Sequence, residues 1–229
     1  MGKPVKGSQL TKRYVQGRVE VKAVSSVDLE LAEGEIVGLV GPSGSGKTTL
    51  LSMLGCILRP TEGSLHVFGT EITGLSEAAL PAVRRKYVSF IFQGFNLFPP
   101  LTAYENIMLI LGLKRVDEAS ASDRAKSLLS QVGLSERTDF LPRDLSGGEK
   151  QRVAVARALA SDSPLILADE PTGNLDHVNG RKVMALLRSL AVEQGKTVVV
   201  ATHDNRVEDM FNRILVMEDG MIRYERKLS

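Results

Sequence analysis

The stretch that most restricts the fold is "EIVGLVGPSGSGKTTLLSML", residues 35–54. A short continuous apolar run reads as a strand covered on both faces. It feeds a glycine-rich loop, and the loop feeds a helix that we expect to stop at Pro60. The loop matches G-x-x-x-x-G-K-[ST] in full: Gly41, Pro42, Ser43, Gly44, Ser45, Gly46, Lys47 and Thr48, followed by Thr49. Its glycines let backbone N–H groups curl round phosphates, and the helix N-terminus adds its dipole. Lys47 would reach the β- and γ-phosphates of a nucleotide, and the Thr48 hydroxyl would ligate Mg²⁺. The motif alone does not separate kinases, GTPases, helicases and ATPases.

Around this core the pattern changes twice. The first 35 residues favour β, with "RVEVKAV" and "SVDLELAEG" as two half-exposed antiparallel strands. "GSLHVFGTEI" returns to strand, and "KYVSFIFQ" (86–93) reads as a further buried strand. From about 99 to 160, three segments carry helical spacing with no strand signal between them. Then β and α alternate again: "PLILADE", "DHVNGRKVMALLRSLAVEQG", "KTVVVATHD", "RILVMEDG" and "MIRYERK". The expected fold is α/β: a P-loop NTPase core of mixed sheet flanked by helices, with an N-terminal antiparallel β subdomain. A helical subdomain at about 99–160 interrupts that core, and the whole of 1–229 makes one domain.

Two strand ends complete a candidate site. "LILADE" delivers Asp169 to the carboxyl end of its strand, where it can hold Mg²⁺ through water. Glu170 follows and would face the γ-phosphate, where a carboxylate can orient and deprotonate the attacking water. That favours hydrolysis over phosphotransfer. His203 ends "VVVATH", again at the strand edge where open α/β sheets bind ligands, and reads as a γ-phosphate contact. His66 and His177 have no comparable context and read as structural.

Composition excludes other classes. The chain has 29 basic and 27 acidic residues, a net charge of +2, which gives no support to a nucleic-acid partner. The single Cys56 permits no internal disulfide and reads as a buried small apolar residue. No apolar run approaches the roughly 20 residues that cross a bilayer. "MGKPVKGSQL" has neither a signal-peptide pattern nor the Ser or Thr at position 6 that myristoylation needs. The expectation is a cytosolic protein that works at a membrane only through another chain. Arg84-Arg85-Lys86 reads as a solvated helix end.

A second glycine motif, "DLSGGEKQRVAVARAL" at 144–159, is harder to place. Ser146 with Glu149 three residues on is a capping box. That leaves Gly147 and Gly148 unexplained, since glycine costs about 1 kcal/mol in a helix interior relative to alanine. Glycines fit if another group must approach the backbone closely. The inferred group is the γ-phosphate of a nucleotide held by a different subunit.

The ordered set "GPSGSGKTT", "FIFQ", "LSGGEKQR", "LILADE", "NLD" and "ATHD" resembles the ATP-binding subunits of ABC transporters over essentially the whole chain. The resemblance implies an ATPase acting as a head-to-tail homodimer. Each ATP would lie between one subunit's Gly41–Thr49 loop and the other's Ser146-Gly147-Gly148. It also implies that Tyr14 stacks on adenine, although a tyrosine in an edge strand needs no such role. Gln93 would contact Mg²⁺ and the attacking water and link the core to the helical lobe. Asp176 would be the acid of a loop crossing the dimer, and it also reads as a helix N-cap.

"DEPTGNLD" and "FQGFNLFPPLTAYENI" are similar to the lipoprotein-release, macrolide-efflux and heterocyst glycolipid exporters, and also to the cell-division cassettes. These imply a separate transmembrane permease, a periplasmic adaptor as a further component, and a peripheral location on the cytoplasmic face of the inner membrane. A regulator of a cell-wall hydrolase, a solute importer and a soluble ABC ATPase are the competing readings. The apolar patch Phe95, Leu97, Phe98, Pro99 and Leu101 suits either hinge packing or a groove for the permease.

Overall fold

The computed structural model describes residues 3–17 and 19–228. Met1 and Gly2, which bear on the lipidation reading, lie outside them. The apolar run before the glycine loop forms strand β3 (Ile36–Val40), and it lies inside a sheet as expected. It pairs in parallel with β8 (Thr197–Thr202) on one side and β9 (Arg213–Glu218) on the other. Beyond β8 come β7 (Leu165–Asp169) and β6 (Val88–Ile91), both parallel, while β10 (Met221–Lys227) closes the other edge antiparallel to β9. The sheet is therefore mixed. Both its faces are covered, which explains the absence of polar alternation in "LILA" and "VVVA".

Alternate residues of these strands enter two different cores. Val37, Leu39, Leu165 and Leu167 join a cluster with Val5, Leu10, Leu31 and Leu65 of a second, antiparallel sheet. Ile36, Ile166, Ala168, Val198 and Val200 join the helical core on the opposite face. The second sheet has the order β2-β1-β4-β5, from β1 (Val5–Gln16), β2 (Val19–Leu31), β4 (Glu62–Val67) and β5 (Thr70–Glu71).

Four local expectations need correction. "RVEVKAV" and "SVDLELAEG" are not two strands but one, β2, which continues through an irregularity where Ser26 takes a φ of 49°. Its partner is β1, whose register slips three times, between Gly7 and Leu10, between Leu10 and Lys12, and between Lys12 and Arg13. "GSLHVFGTEI" is a hairpin that turns at Phe68-Gly69. In "KYVSFIFQ", Lys86 and Tyr87 end helix α2 (Leu80–Tyr87), and β6 is a half-covered edge strand. The helix after the glycine loop, α1 (Lys47–Leu54), ends six residues before Pro60. Gly55 is its C-cap, and Cys56 follows in a left-handed conformation with φ 55°. The basic triplet 84–86 does occupy the last turn of α2, where cations suit the helix dipole.

Between β6 and β7 the chain forms α3 (Ala103–Leu113), α4 (Glu118–Gln131) and α5 (Gly147–Ala160), with no intervening strand. Ile107, Leu111, Ala125, Leu129 and Val153 bury the shared face of this trio. Capping boxes start α3 at Thr102 and α5 at Ser146. The longest helix, α6 (His177–Gln194), is capped by Asp176 and ends at Gly195 in the left-handed region. No helix among the described residues is long and apolar enough to cross a membrane.

Candidate functional site

The loop after β3 is shaped before any ligand arrives. A Cβ on Gly41 would lie 2.0 Å from the carbonyl oxygen of Met217, a backbone clash that only glycine avoids. Gly46 has a φ of 100° and would place a Cβ 2.2 Å from the Ala23 carbonyl oxygen. Within the loop, Lys47 Nζ donates to the carbonyls of Gly41 and Pro42, at 2.8 Å each. Desolvation lowers the Lys47 pKa, opposed by the nearby Glu170 and Asp169. The Ser45 hydroxyl is buried with no hydrogen-bond partner among the described residues.

Strand β7 brings Asp169 to this loop, as its sequence position suggested. Asp169 Oδ1 accepts a hydrogen bond from Thr48 Oγ1 at 3.2 Å. Burial raises the Asp169 pKa, with the Thr48 hydrogen bond and Lys47 opposing and Glu170 adding to the rise. The next residue, Glu170, has a φ of 47°, which turns the chain sharply out of the strand. Its carboxylate accepts from Thr202 Oγ1 at 3.2 Å and lies 2.8 Å from His203 Nδ1, both at the end of β8.

One open cleft of about 520 Å³ is lined by Pro42, Ser43, Gly44, Gly46, Lys47, Thr48, Thr49, Gln93, Glu170 and His203, while Gly41, Ser45 and Asp169 are not in its wall. Tyr14 is not in its wall; it is 41% exposed on β1. Its cross-strand partner is Val21, two residues from Ala23, which does line the cleft. Sequence reasoning passed over Ala23, because a small apolar residue in a strand carries no signal. It also passed over Asn174, whose side-chain amide donates to the Gln93 carbonyl at 3.1 Å and ties the loop after Glu170 to Gln93.

Ser146, Gly148 and Asp176 meet in a different cleft of about 330 Å³, shared with Asn174 and Leu175. The capping box is present in full: Ser146 Oγ accepts from Glu149 N, and Glu149 accepts from Ser146 N. Asp176 caps α6 by accepting from Asn179 N, which lowers its pKa. Neither Gly147 nor Gly148 has a positive φ, and a Cβ on either would meet only ordinary contacts at 3.5–3.6 Å. Nothing inside the chain requires glycine at these two positions. The apolar patch after Gln93 divides, with Leu97 packed on the helical core and Phe98 47% exposed.

The ABC transporter family matches residues 24–173. An uncharacterized ABC transporter ATP-binding protein of Methanocaldococcus jannaschii, MJ0796, is 44% identical over 228 residues, 98% of this chain and 97% of that protein. The macrolide export ATP-binding/permease protein MacB of Rhodopirellula baltica is 43% identical, across 93% of this chain but only 31% of its own length. A dimeric structure of the cassette MJ0796 in a post-hydrolysis state, bound to ADP and Pi, superposes with a TM-score of 0.94 and covers 98% of this chain and 99% of that one. The glycine cradle, the paired acids at the end of β7 and this full-length likeness place the chain in the ABC transporter family, as an ATP-binding cassette that hydrolyses ATP.

Proposed function

We propose that this cassette works as a head-to-tail homodimer that holds two ATP molecules and drives a separate transmembrane permease. The observation that carries the reading is that the two phosphate-binding motifs lie in separate clefts. The second cleft also carries Gly148, a glycine that its own chain does not need, with Gly147 beside it. A facing subunit that brings a γ-phosphate against Ser146, Gly147 and Gly148 accounts for both.

In this reading the loop Gly41–Thr49 cradles the phosphates, and Lys47 exchanges its two carbonyl partners for phosphate oxygens. Thr48 and Asp169, already 3.2 Å apart, would hold Mg²⁺ with Gln93. Among the described residues no three His, Cys, Asp or Glu side chains converge. Mg²⁺ suits so sparse a donor set, because it takes one or two carboxylates and fills its octahedron with water and phosphate oxygens. When bound, it would neutralise charge developing on the transferred phosphoryl group. Glu170 would orient and deprotonate the attacking water, and His203 would contact the γ-phosphate. Asp176 would lie at the subunit boundary, and Tyr14 would stack on the adenine. Residues 1–229 would act as one nucleotide-binding domain, with the helices at about 99–160 as its lobe facing the permease.

The cargo we assign is a lipid, lipoprotein or other hydrophobic compound, exported or extracted by the permease with an external adaptor, while this chain sits peripherally on the cytoplasmic face of the membrane. The macrolide export function in the name of the MacB relative supports an exporter of this kind. Glu170→Gln tests the engine: it should bind ATP, hydrolyse almost none, and dimerise when ATP and Mg²⁺ are added. Light scattering that found only monomer under those conditions would remove the sandwich. Mass spectrometry of proteins co-purified from native membranes tests the cargo. A permease with few spans and a large external domain is expected; a many-span permease with a solute-binding protein would mean import.

A further inference from the structure

The segment after Gln93 is held in an unfavourable shape by a buried cation. Phe95 and Asn96 are consecutive residues with φ of 62° and 48°. That is the left-handed region, which asparagine tolerates and phenylalanine does not. The guanidinium of Arg157, on α5, donates through Nη2 to the Phe95 carbonyl at 2.9 Å and through Nη1 to the Asn96 carbonyl. Arg157 is only 8% exposed, and burial lowers its pKa with no opposing carboxylate. A guanidinium at that depth carries a desolvation cost that a methionine would not. What it returns is a planar fork fitted to two carbonyls of one strained turn.

Both neighbours of this turn are tied as well. Asn174 holds the Gln93 carbonyl, and the buried Asn106 of α3 accepts from Phe98 N and donates to the carbonyls of Phe98, Leu101 and Thr102. Of these anchors, only Arg157 comes from α5, the helix that begins at Ser146. It lies about three turns along that helix.

We propose that Arg157 is a positioning residue that fixes the Phe95-Asn96 turn and so couples the Ser146 end of α5 to the placement of Gln93. A shift of α5 when a partner's nucleotide engages Ser146 would move the turn, and Gln93 with it. The proposal rests on the role given to Gln93 above.

The test measures ATP turnover by the full chain for Arg157→Lys, Asn96→Val and the double variant, with Gln93→Ala alongside. Binding of a trinitrophenyl-ATP probe checks that each variant is folded. Lysine has no fork to span two carbonyls, so Arg157→Lys should lower kcat about tenfold, with KM and probe affinity within about twofold. At the exposed position 96 a β-branched residue resists φ > 0, so Asn96→Val should lower kcat comparably. The double variant should be no worse than the poorer single, because both break one turn. Adding Phe95→Gly to Arg157→Lys should restore at least about threefold by removing the left-handed penalty that falls on phenylalanine.

Single variants within about twofold of the parent, or multiplicative losses in the double, would overturn the proposal. If Gln93→Ala keeps full turnover, the assigned role of Gln93 fails, and amide hydrogen exchange at residues 94–97 then decides. Faster exchange in Arg157→Lys supports the clamp, and unchanged exchange rejects it.

Discussion

Gly148→Ala separates what the chain needs from what a partner needs. Gly148 is the second residue of α5, in helical conformation, and a Cβ there would sit 3.5 Å from Leu175 Cδ2 and 3.9 Å from Arg152 Nη1. Those are ordinary contacts, so the substitution introduces no strain within the subunit. Alanine also loses less backbone entropy than glycine on entering a helix. At the first turn we take the low end of that gain, about 0.5 kcal/mol. For a domain of this size the melting temperature should rise by about 1–2 °C. A facing phosphate, by contrast, would find a methyl group where it needs backbone N–H.

The assay pairs differential scanning calorimetry of the nucleotide-free chain with light scattering in the Glu170→Gln background. With ATP and Mg²⁺, the alanine variant should dimerise at least about tenfold more weakly. A fall in melting temperature would show that the glycine serves its own chain. A higher melting temperature with undiminished dimerisation would show that nothing approaches it closely.

Two further outcomes are expected. Burial raises the Asp169 pKa, so its folded-state contribution is favourable below the ordinary aspartate range and is lost as pH rises through the raised value. Asp169→Asn should therefore melt above the wild type near pH 7, with the gain vanishing towards pH ~4, while Mg²⁺-dependent turnover is lost; denaturation across a pH series reads the sign. Asn106→Ala strips a buried side chain of four hydrogen bonds to backbone and should cost about 3 kcal/mol, lowering the melting temperature by about 6–12 °C in a thermal scan.

The parts of the molecule legible in the sequence were those where chemistry constrains several adjacent residues together. Gly41–Thr48 is such a case: a strand, a clash-free turn and a helix start leave little choice of residue. The Ser146–Glu149 capping box is another, because both halves of it are side chains. What was illegible depends on single residues in unusual backbone. Ser26 in the left-handed region joins two apparent strands into β2, and Gly55-Cys56 ends α1 well short of the proline that looked like its stop. β1 was legible only as part of a segment that favours β, because its register shifts three times between Gly7 and Arg13 and so breaks the alternation that would mark its bounds. Arg157 sits in "RVAVARALAS" at a spacing that suits an exposed face. Only the packing of the segment after Gln93 against α5 shows that it is buried.

Lys47 already satisfies its ammonium on the Gly41 and Pro42 carbonyls. A loop that holds its own lysine in this way has no folding left to do when a nucleotide binds. The exchange is one set of oxygens for another, with little chain entropy lost. Such a cradle discriminates by the number and charge of the oxygens offered to it. A purine stacked on Tyr14, which is 41% exposed and outside the cleft wall, would add comparatively little to that choice. Nucleoside triphosphates that differ only in their base would then compete on nearly equal terms for the isolated chain, leaving selection between them to whatever closes over the site.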